Sequence, residues 1–189
     1  MIKRTIKVFV DFDGTITLED VGEAIFKKFG ETEKVKRIIE DLLSDKISSR
    51  QCWDELCDSV DNIDKAELDE FIDLIDVDPT FIPFVKFCSE NKIEMVVLSD
   101  GFDYYIDRLF NKAGLTGLKY YSNKLFVDEK GILKAEYPYF DVDSPTSANC
   151  KKNHIINHSS DDEYTVYIGD GNADKDAAQY CDFIFAKDG

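Results

Sequence analysis

The sequence predicts an α/β fold: a parallel sheet covered by helices on both faces, with a helical cap inserted after the first strand. Three observations predict it. Apolar runs rich in β-branched and aromatic residues, at 5–10, 93–98, 164–168 and 182–186, are separated by stretches of helical periodicity. No strand pattern occurs between the first run and Pro79. Three of the runs end in acids, serine or glycine, the residue types that open a ligand site at the carboxyl edge of a parallel sheet.

Composition narrows the class. The chain has 189 residues, 43% of them hydrophobic, enough for one core of ordinary size. No apolar run approaches the ~20 residues of a membrane helix. The opening "MIKRTIKVFVDFDG" lacks a signal-peptide apolar region, so the chain reads as cytoplasmic. Cys52, Cys57, Cys88, Cys150 and Cys181 are scattered without a C-x-x-C pair, which argues against a zinc site or a disulfide framework. A formal net charge of −16 argues against nucleic acid or an anionic membrane as partner. An anionic substrate would need local cations to offset that field.

Each element has its own signal. Val8, Phe9 and Val10 make residues 5–10 a buried strand. Residues 18–77 then carry four short helices. The first bears Val21, Ile25 and Phe29, and the second Val35, Ile38, Ile39 and Leu42. The third opens on a capping box, Ser48 with Gln51, and aligns Cys52, Trp53, Leu56, Cys57 and Val60 on one face. The fourth opens at Asp64 and carries Leu68, Phe71, Ile72 and Ile75. This insertion is read as a cap over the ligand edge of the sheet, with residues 1–17 and 78–189 forming a Rossmann-like core. Asp78-Pro79 reads as an N-cap followed by a first-turn proline, continued by Phe81, Phe84, Val85 and Cys88. A smaller excursion at 122–140 contains "KLFVDEKGILKAEY", a hairpin turning at Asp128 to Gly131.

The strand tips carry the chemistry. The first ends in "DFDGT" (11–15), the second in "SDG" (99–101) and the third in "GDGNAD" (169–174). In a parallel sheet these ends share one edge, so Asp11, Asp13, Ser99, Asp170 and Asp174 should converge. Lys151, at a predicted helix start in "SANCKKNHII", can reach the same edge. Alone, each acid would be a helix cap or turn residue. Together they repel one another and call for a hard divalent cation such as Mg2+, which takes oxygen ligands. An EF-hand is excluded, because its glycine sits at loop position 6 and Gly14 falls at position 4.

"DFDGT", "LSDG", Lys151 and "GDGNAD", in that order, resemble the four motifs of the haloacid dehalogenase (HAD) superfamily, and the resemblance covers nearly the whole chain. The cap position is that of its phosphoserine-phosphatase-like branch. "DFDGTIT", "FVKFCSENKIEMVVLSDGFDYYI", "NCK" and "DFIFAKD" are most similar to the group of hydroxyketo-methylthiopentenyl phosphate and phosphoethanolamine/phosphocholine phosphatases. The resemblance implies a Mg2+-dependent phosphomonoesterase acting on a small phosphorylated metabolite. It implies Asp11 as nucleophile, giving an aspartyl-phosphate, and Asp13 as general acid and base. The metal would be held by Asp11, the Asp13 carbonyl and Asp170, with Asp174 assisting through water or by orienting Lys151. Ser99, Lys151 and backbone N–H groups near Gly101 would hold the phosphoryl oxygens. Lys152 adjoins Lys151, and the "NCK" match selects Lys151. His154 and His158 read as surface residues. A phosphotransferase or mutase of the same superfamily is the rival enzyme class; a non-catalytic metal-binding domain is disfavoured because every motif position is filled.

The substrate signal lies in two acids. Asp20 stands nine residues after Asp11, where phosphoserine phosphatases have a glutamate. Asp100 stands where they have glycine, and where the phosphoethanolamine/phosphocholine branch has an acid. The cap stretch matching their carboxylate-binding arginine centres on Leu56, with Arg50 more than a turn away. Phosphoserine is therefore a poor candidate. Either Asp20 and Asp100 make an acidic pocket for a neutral or cationic leaving group, or Asp20 caps the helix from Val21 and Asp100 faces solvent.

Overall fold

The computed structural model describes residues 4–171 and 174–187. Asn172 and Ala173 of the "GDGNAD" motif lie outside the described residues. Six strands form one sheet: β1 (Thr5–Asp11), β2 (Glu94–Phe102), β3 (Lys119–Val127), β4 (Leu133–Glu136), β5 (Glu163–Gly169) and β6 (Phe183–Ala186), in the order β4-β3-β2-β1-β5-β6. Every neighbouring pair is parallel except β3 and β4. From β1 the chain builds outward through β2 and β3, then crosses back to add β5 and β6 on the other side. The order thus reverses between β1 and β5, and the carboxyl ends of those strands form the crevice expected for a ligand.

Four helices separate β1 from β2's own lead-in helix: α1 (Val21–Phe29), α2 (Thr32–Leu43), α3 (Ser49–Cys57) and α4 (Lys65–Asp73). Local chemistry sets their starts. Asp20, Glu31 and Asp64 accept backbone N–H bonds as N-caps, and Ser48 with Gln51 makes the full capping box. The insertion leaves and returns side by side. Thr17 bridges Val77, Leu18 N–H donates to the Asp76 carbonyl, and Asp78 N–H donates to the Ile16 carbonyl. Lys187 fastens this crossing, donating to the Thr15 carbonyl at 2.9 Å and pairing with Asp78 at 2.9 Å.

The remaining helices are α5 (Phe81–Glu90), α6 (Asp103–Ala113), α7 (Lys151–His158) and α8 (Lys175–Ala178). Alternation along β1 divides the core. Val8 and Val10 face a large cluster with Phe12, Phe102, Tyr105 and Leu109, continuous with Val21, Ile25, Leu56, Leu68 and Ile72 of the inserted helices. Phe9 faces a smaller cluster with Val96, Leu98, Ile155 and Tyr167. Among the described residues no helix is long and apolar enough to cross a membrane.

The structure departs from the sequence reading at four places. β2 does not stop at Leu98: it runs to Phe102, with its pairing to β3 slipping between Leu98 and Phe102, so Ser99–Gly101 occupy an irregular strand end. The hairpin's first strand starts at Lys119 and pairs with Val96, Val97 and Leu98, so it belongs to the main sheet. The polar Ser122 and Asn123 in its middle interrupt the apolar pattern and hid it. Helix α5 starts at Phe81, because Asp78 accepts from Thr80 N–H and hydroxyl rather than capping at Pro79. Finally, His154 is not on the surface. It is buried, stacked on Tyr121 at 4.2 Å, with Nε2 2.8 Å from Asn149 Oδ1.

Burial pushes the His154 imidazole down to about 4, and the neighbouring His158 adds to the effect. The unfolded chain therefore takes up this proton first as pH falls. The stability that neutral His154 contributes is complete above about pH 6.5 and is lost on the way down to about pH 4, by roughly 3 kcal/mol. Urea denaturation of the wild type and His154→Phe across this window is expected to show a shallower acid loss in the variant. Identical pH dependence in the two proteins would refute the assignment.

Candidate active site

The carboxyl ends of β1, β2 and β5 bring the strand-tip residues together. Asp11, the last residue of β1, is buried. Its Oδ1 accepts from Lys151 Nζ and its Oδ2 from the Thr15 hydroxyl. Lys151 is the first residue of α7 and is also buried; it donates to Asp174 Oδ1 at 2.7 Å. The Tyr167 hydroxyl donates to the same oxygen at 2.6 Å. Thr15 reaches across to Asp170 Oδ1 at 3.0 Å. Lys152 points elsewhere, to Ser144 Oγ at 3.1 Å.

Asp11, Asp170 and Asp174 each present an oxygen, all within 4.8 Å of one another; Asp11 and Asp174 are buried and Asp170 is exposed. Three hard oxygen donors, two of them bonded to Lys151, fit a divalent cation open to solvent on one side. Gly14 makes room for this cluster. Its φ of 72° is in the left-handed region, and a Cβ there would run into the Asp170 carboxylate.

The electrostatics differ from one acid to the next. Burial pushes the Asp11 carboxyl up to about 7; Lys151 opposes this, while Asp174 and Asp170 reinforce it. Burial acts on Asp174 too, but the Lys151 charge and the Lys151 and Tyr167 hydrogen bonds outweigh it and hold the carboxyl below its usual range. Burial alone would discharge Lys151, yet Asp11 and Asp174 keep its ammonium well above the ordinary value.

Asp13 sits apart from this cluster. Its Oδ2 accepts from Ser99 Oγ at 3.1 Å and Tyr105 OH at 3.0 Å, and its Oδ1 from the backbone N–H of Val21, the first residue of α1. Burial raises its carboxyl well above the ordinary range, with the Asp20 and Asp11 charges adding to it. The Tyr105 and Ser99 hydrogen bonds oppose that rise, and a raised carboxyl is the kind of group that passes a proton to a leaving group. A Cβ at Gly101 would collide with Tyr105 OH and Asp13, so only glycine leaves this arrangement intact. Gly101 N–H donates to Ser99 Oγ at 2.9 Å, orienting that hydroxyl.

Asp20 and Asp100 border this constellation, their charges interacting with Asp13 and Lys151 respectively, but their hydrogen bonds go elsewhere. Asp20 is exposed, and its carboxylate caps α1 through Glu23 N–H at 2.7 Å. Asp100 does not face solvent. Its Oδ1 accepts from Asn149 N–H at 2.7 Å and its Oδ2 from Ser49 Oγ. The Arg50 guanidinium stacks over the Phe140 ring at 4.3 Å. Sequence reasoning missed Tyr105, Tyr167 and Asn149, because side chains that orient a reacting group follow no fixed spacing from it. The one available signal was the polar "SAN" run just before Lys151.

Residues 6–189 match the family model described as "Putative Phosphatase", and the chain belongs to this family of haloacid dehalogenase-type phosphatases. It is 30% identical over 204 residues to the polyol phosphate phosphatase PYP1 of Saccharomyces cerevisiae, covering 100% of this chain and 82% of that protein. It is 29% identical over 187 residues to the 2-hydroxy-3-keto-5-methylthiopentenyl-1-phosphate phosphatase of Bacillus mycoides, covering 97% of this chain and 84% of that protein. A solved phosphoserine phosphatase, captured as an analogue of its phospho-aspartyl intermediate, has the same fold: TM-score 0.72, 20% identity, 98% of this chain and 95% of that one.

Proposed function

We propose that this phosphatase is a cytoplasmic, Mg2+-dependent hydrolase of small phosphomonoesters that works through an aspartyl-phosphate on Asp11. The observation that carries the reading is the division of labour between two acids on one strand tip. Asp11 lies against Lys151 and the metal-type cluster, while Asp13 lies among other partners, accepting from Ser99, Tyr105 and the Val21 N–H, with its carboxyl raised by burial.

Asp11, Asp170 and the Asp13 carbonyl would hold the cation, which when bound neutralises phosphoryl charge and keeps Asp11 ionised. A carboxylate oxygen of Asp11 attacks phosphorus, forming the P–O bond as the ester P–O bond breaks. Asp13 gives its proton to the departing alkoxide. It then takes a proton from water as that water attacks the aspartyl-phosphate, releasing inorganic phosphate and restoring the Asp11 carboxylate. Lys151 and the Ser99 hydroxyl stabilise the charge spread over the phosphoryl oxygens, and Asp174 with Tyr167 keeps Lys151 aimed at them.

An uncharged or cationic leaving group suits this cleft. Arg50 is engaged with Phe140, and the net charge of −16 disfavours a second carboxylate. Esters of polyols, of methylthiopentenyl enols and of amino alcohols meet that condition. A panel of these esters, phosphoserine and p-nitrophenyl phosphate, assayed with magnesium and with excess EDTA, tests the reading. Turnover is expected to fall at least about 100-fold on chelation and return with magnesium. Full turnover by exhaustively chelated protein would overturn the metal assignment, and phosphoserine emerging as the best ester would overturn the leaving-group assignment.

A further inference from the structure

Asp100 joins two parts of the molecule that lie far apart in the chain. One carboxylate oxygen accepts from the hydroxyl of Ser49, the first residue of α3. The other accepts from the backbone N–H of Asn149, two residues before Lys151. The Asp100 carbonyl accepts from Asn123 Nδ2 at 2.6 Å, which fixes the backbone behind the carboxylate.

Asn149 is fully buried and extends the link. Its Nδ2 donates to the Ser99 carbonyl at 2.8 Å and the Tyr121 carbonyl at 3.1 Å, and its Oδ1 accepts from His154 Nε2. Ser49 N–H also donates to the Thr146 carbonyl at 2.9 Å, so the start of α3 is tied to the segment leading into α7 once directly and once through Asp100. A carboxylate whose two oxygens already accept from a hydroxyl and an amide holds both donors in fixed directions, and such charge-assisted bonds are the strong ones.

We propose that Asp100 is a positioning residue: its carboxylate clamps the start of α3 to the segment carrying Lys151, tying the seating of the inserted helices to the placement of Lys151 and Ser99. The proposal rests on Lys151 and Ser99 as the phosphoryl-holding groups. It differs from a leaving-group role for Asp100 in one measurable respect. A clamp affects every phosphomonoester alike, whereas a residue that reads the leaving group changes their ranking.

The test compares wild type, Ser49→Ala, Ser49→Thr, Asp100→Asn and the double variant Ser49→Ala/Asp100→Asn. Steady-state kinetics on the ester panel are paired with amide hydrogen exchange of the substrate-free protein. Ser49→Ala is expected to raise KM roughly 10-fold for all esters and to lower kcat by a common factor, because Lys151 and Ser99 act on the transition state as well as on the bound ester. Ser49→Thr, which keeps the hydroxyl, should restore KM, and Ser49→Ala should add nothing in the Asp100→Asn background. Exchange should quicken across Ser49–Cys57 and at Lys151 while α5 stays protected. Unchanged KM and exchange in Ser49→Ala, additive effects in the double variant, or a reordered panel in Asp100→Asn would overturn the clamp. Exchange is read without turnover, so an error in the catalytic reading, visible as an active Asp11→Asn protein, leaves this result distinguishable.

Discussion

Asp11→Asn is expected to lower turnover at least about 10³-fold while leaving a folded protein. The amide nearly matches the carboxylate in shape but cannot supply the attacking oxygen. The fold should tolerate it for a specific reason. Asp11 is buried beside Asp170 and Asp174, so losing its charge removes repulsion as well as the bond to Lys151. Phosphate release and the thermal midpoint should be measured on the same samples. A folded variant with near-normal turnover would remove Asp11 from the chemistry; a variant that fails to fold would show that its charge is needed to hold Lys151.

Lys151→Met is expected to damage both stability and activity. Lys151 is the buried cation between Asp11 and Asp174, and its removal leaves two buried carboxylates facing each other. Breaking a buried pair in this way costs about 3–5 kcal/mol. The cost should depend on pH. Without the lysine, the Asp11 carboxyl rises further above its already raised position. Its proton-bound form then carries the stability, which is present in acid and lost as pH rises through about 7 and beyond. Urea denaturation in EDTA at about pH 5.5 and about pH 8 should show the larger deficit at the higher pH. Lys152→Met, which removes only the bond to Ser144, should stay within about 0.5 kcal/mol of wild type. Equal effects of the two substitutions would contradict the assignment of Lys151.

The strand tips and helix caps were legible because they are local. The β-branched and aromatic run Val8–Val10, the Ser48–Gln51 box and the Asp64 cap each specify their own element, and all three form as expected. That Asp11, Asp13, Ser99, Asp170 and Asp174 share one edge of the sheet follows from parallel topology, and Lys151 reaches that edge from a predicted helix start. What was hidden depends on long-range packing. The start of β3 could not be read from "KYYSN", since its strand character comes from pairing with Val96–Leu98. His154 sits in a largely polar run, "KKNHIINH", and is buried by residues distant in sequence, Tyr121 of β3 stacking on it and Tyr139 packing edge-on. Asp100 is an ordinary turn-like acid in sequence; its partners Ser49 and Asn149 are each about fifty residues away, and the Ser49 bond exists only once the inserted helices are seated.

The most direct test of the account is to locate the phosphoryl group on the enzyme. Protein turning over a good phosphomonoester with magnesium is quenched in acid, digested, and its peptides searched for a covalent phosphoryl group. The account predicts a phosphorylated carboxylate on the peptide containing Asp11, absent from Asp11→Asn. No phosphoenzyme at any quench time, or a phosphoryl group on Ser99 or Asp13 instead, would contradict it.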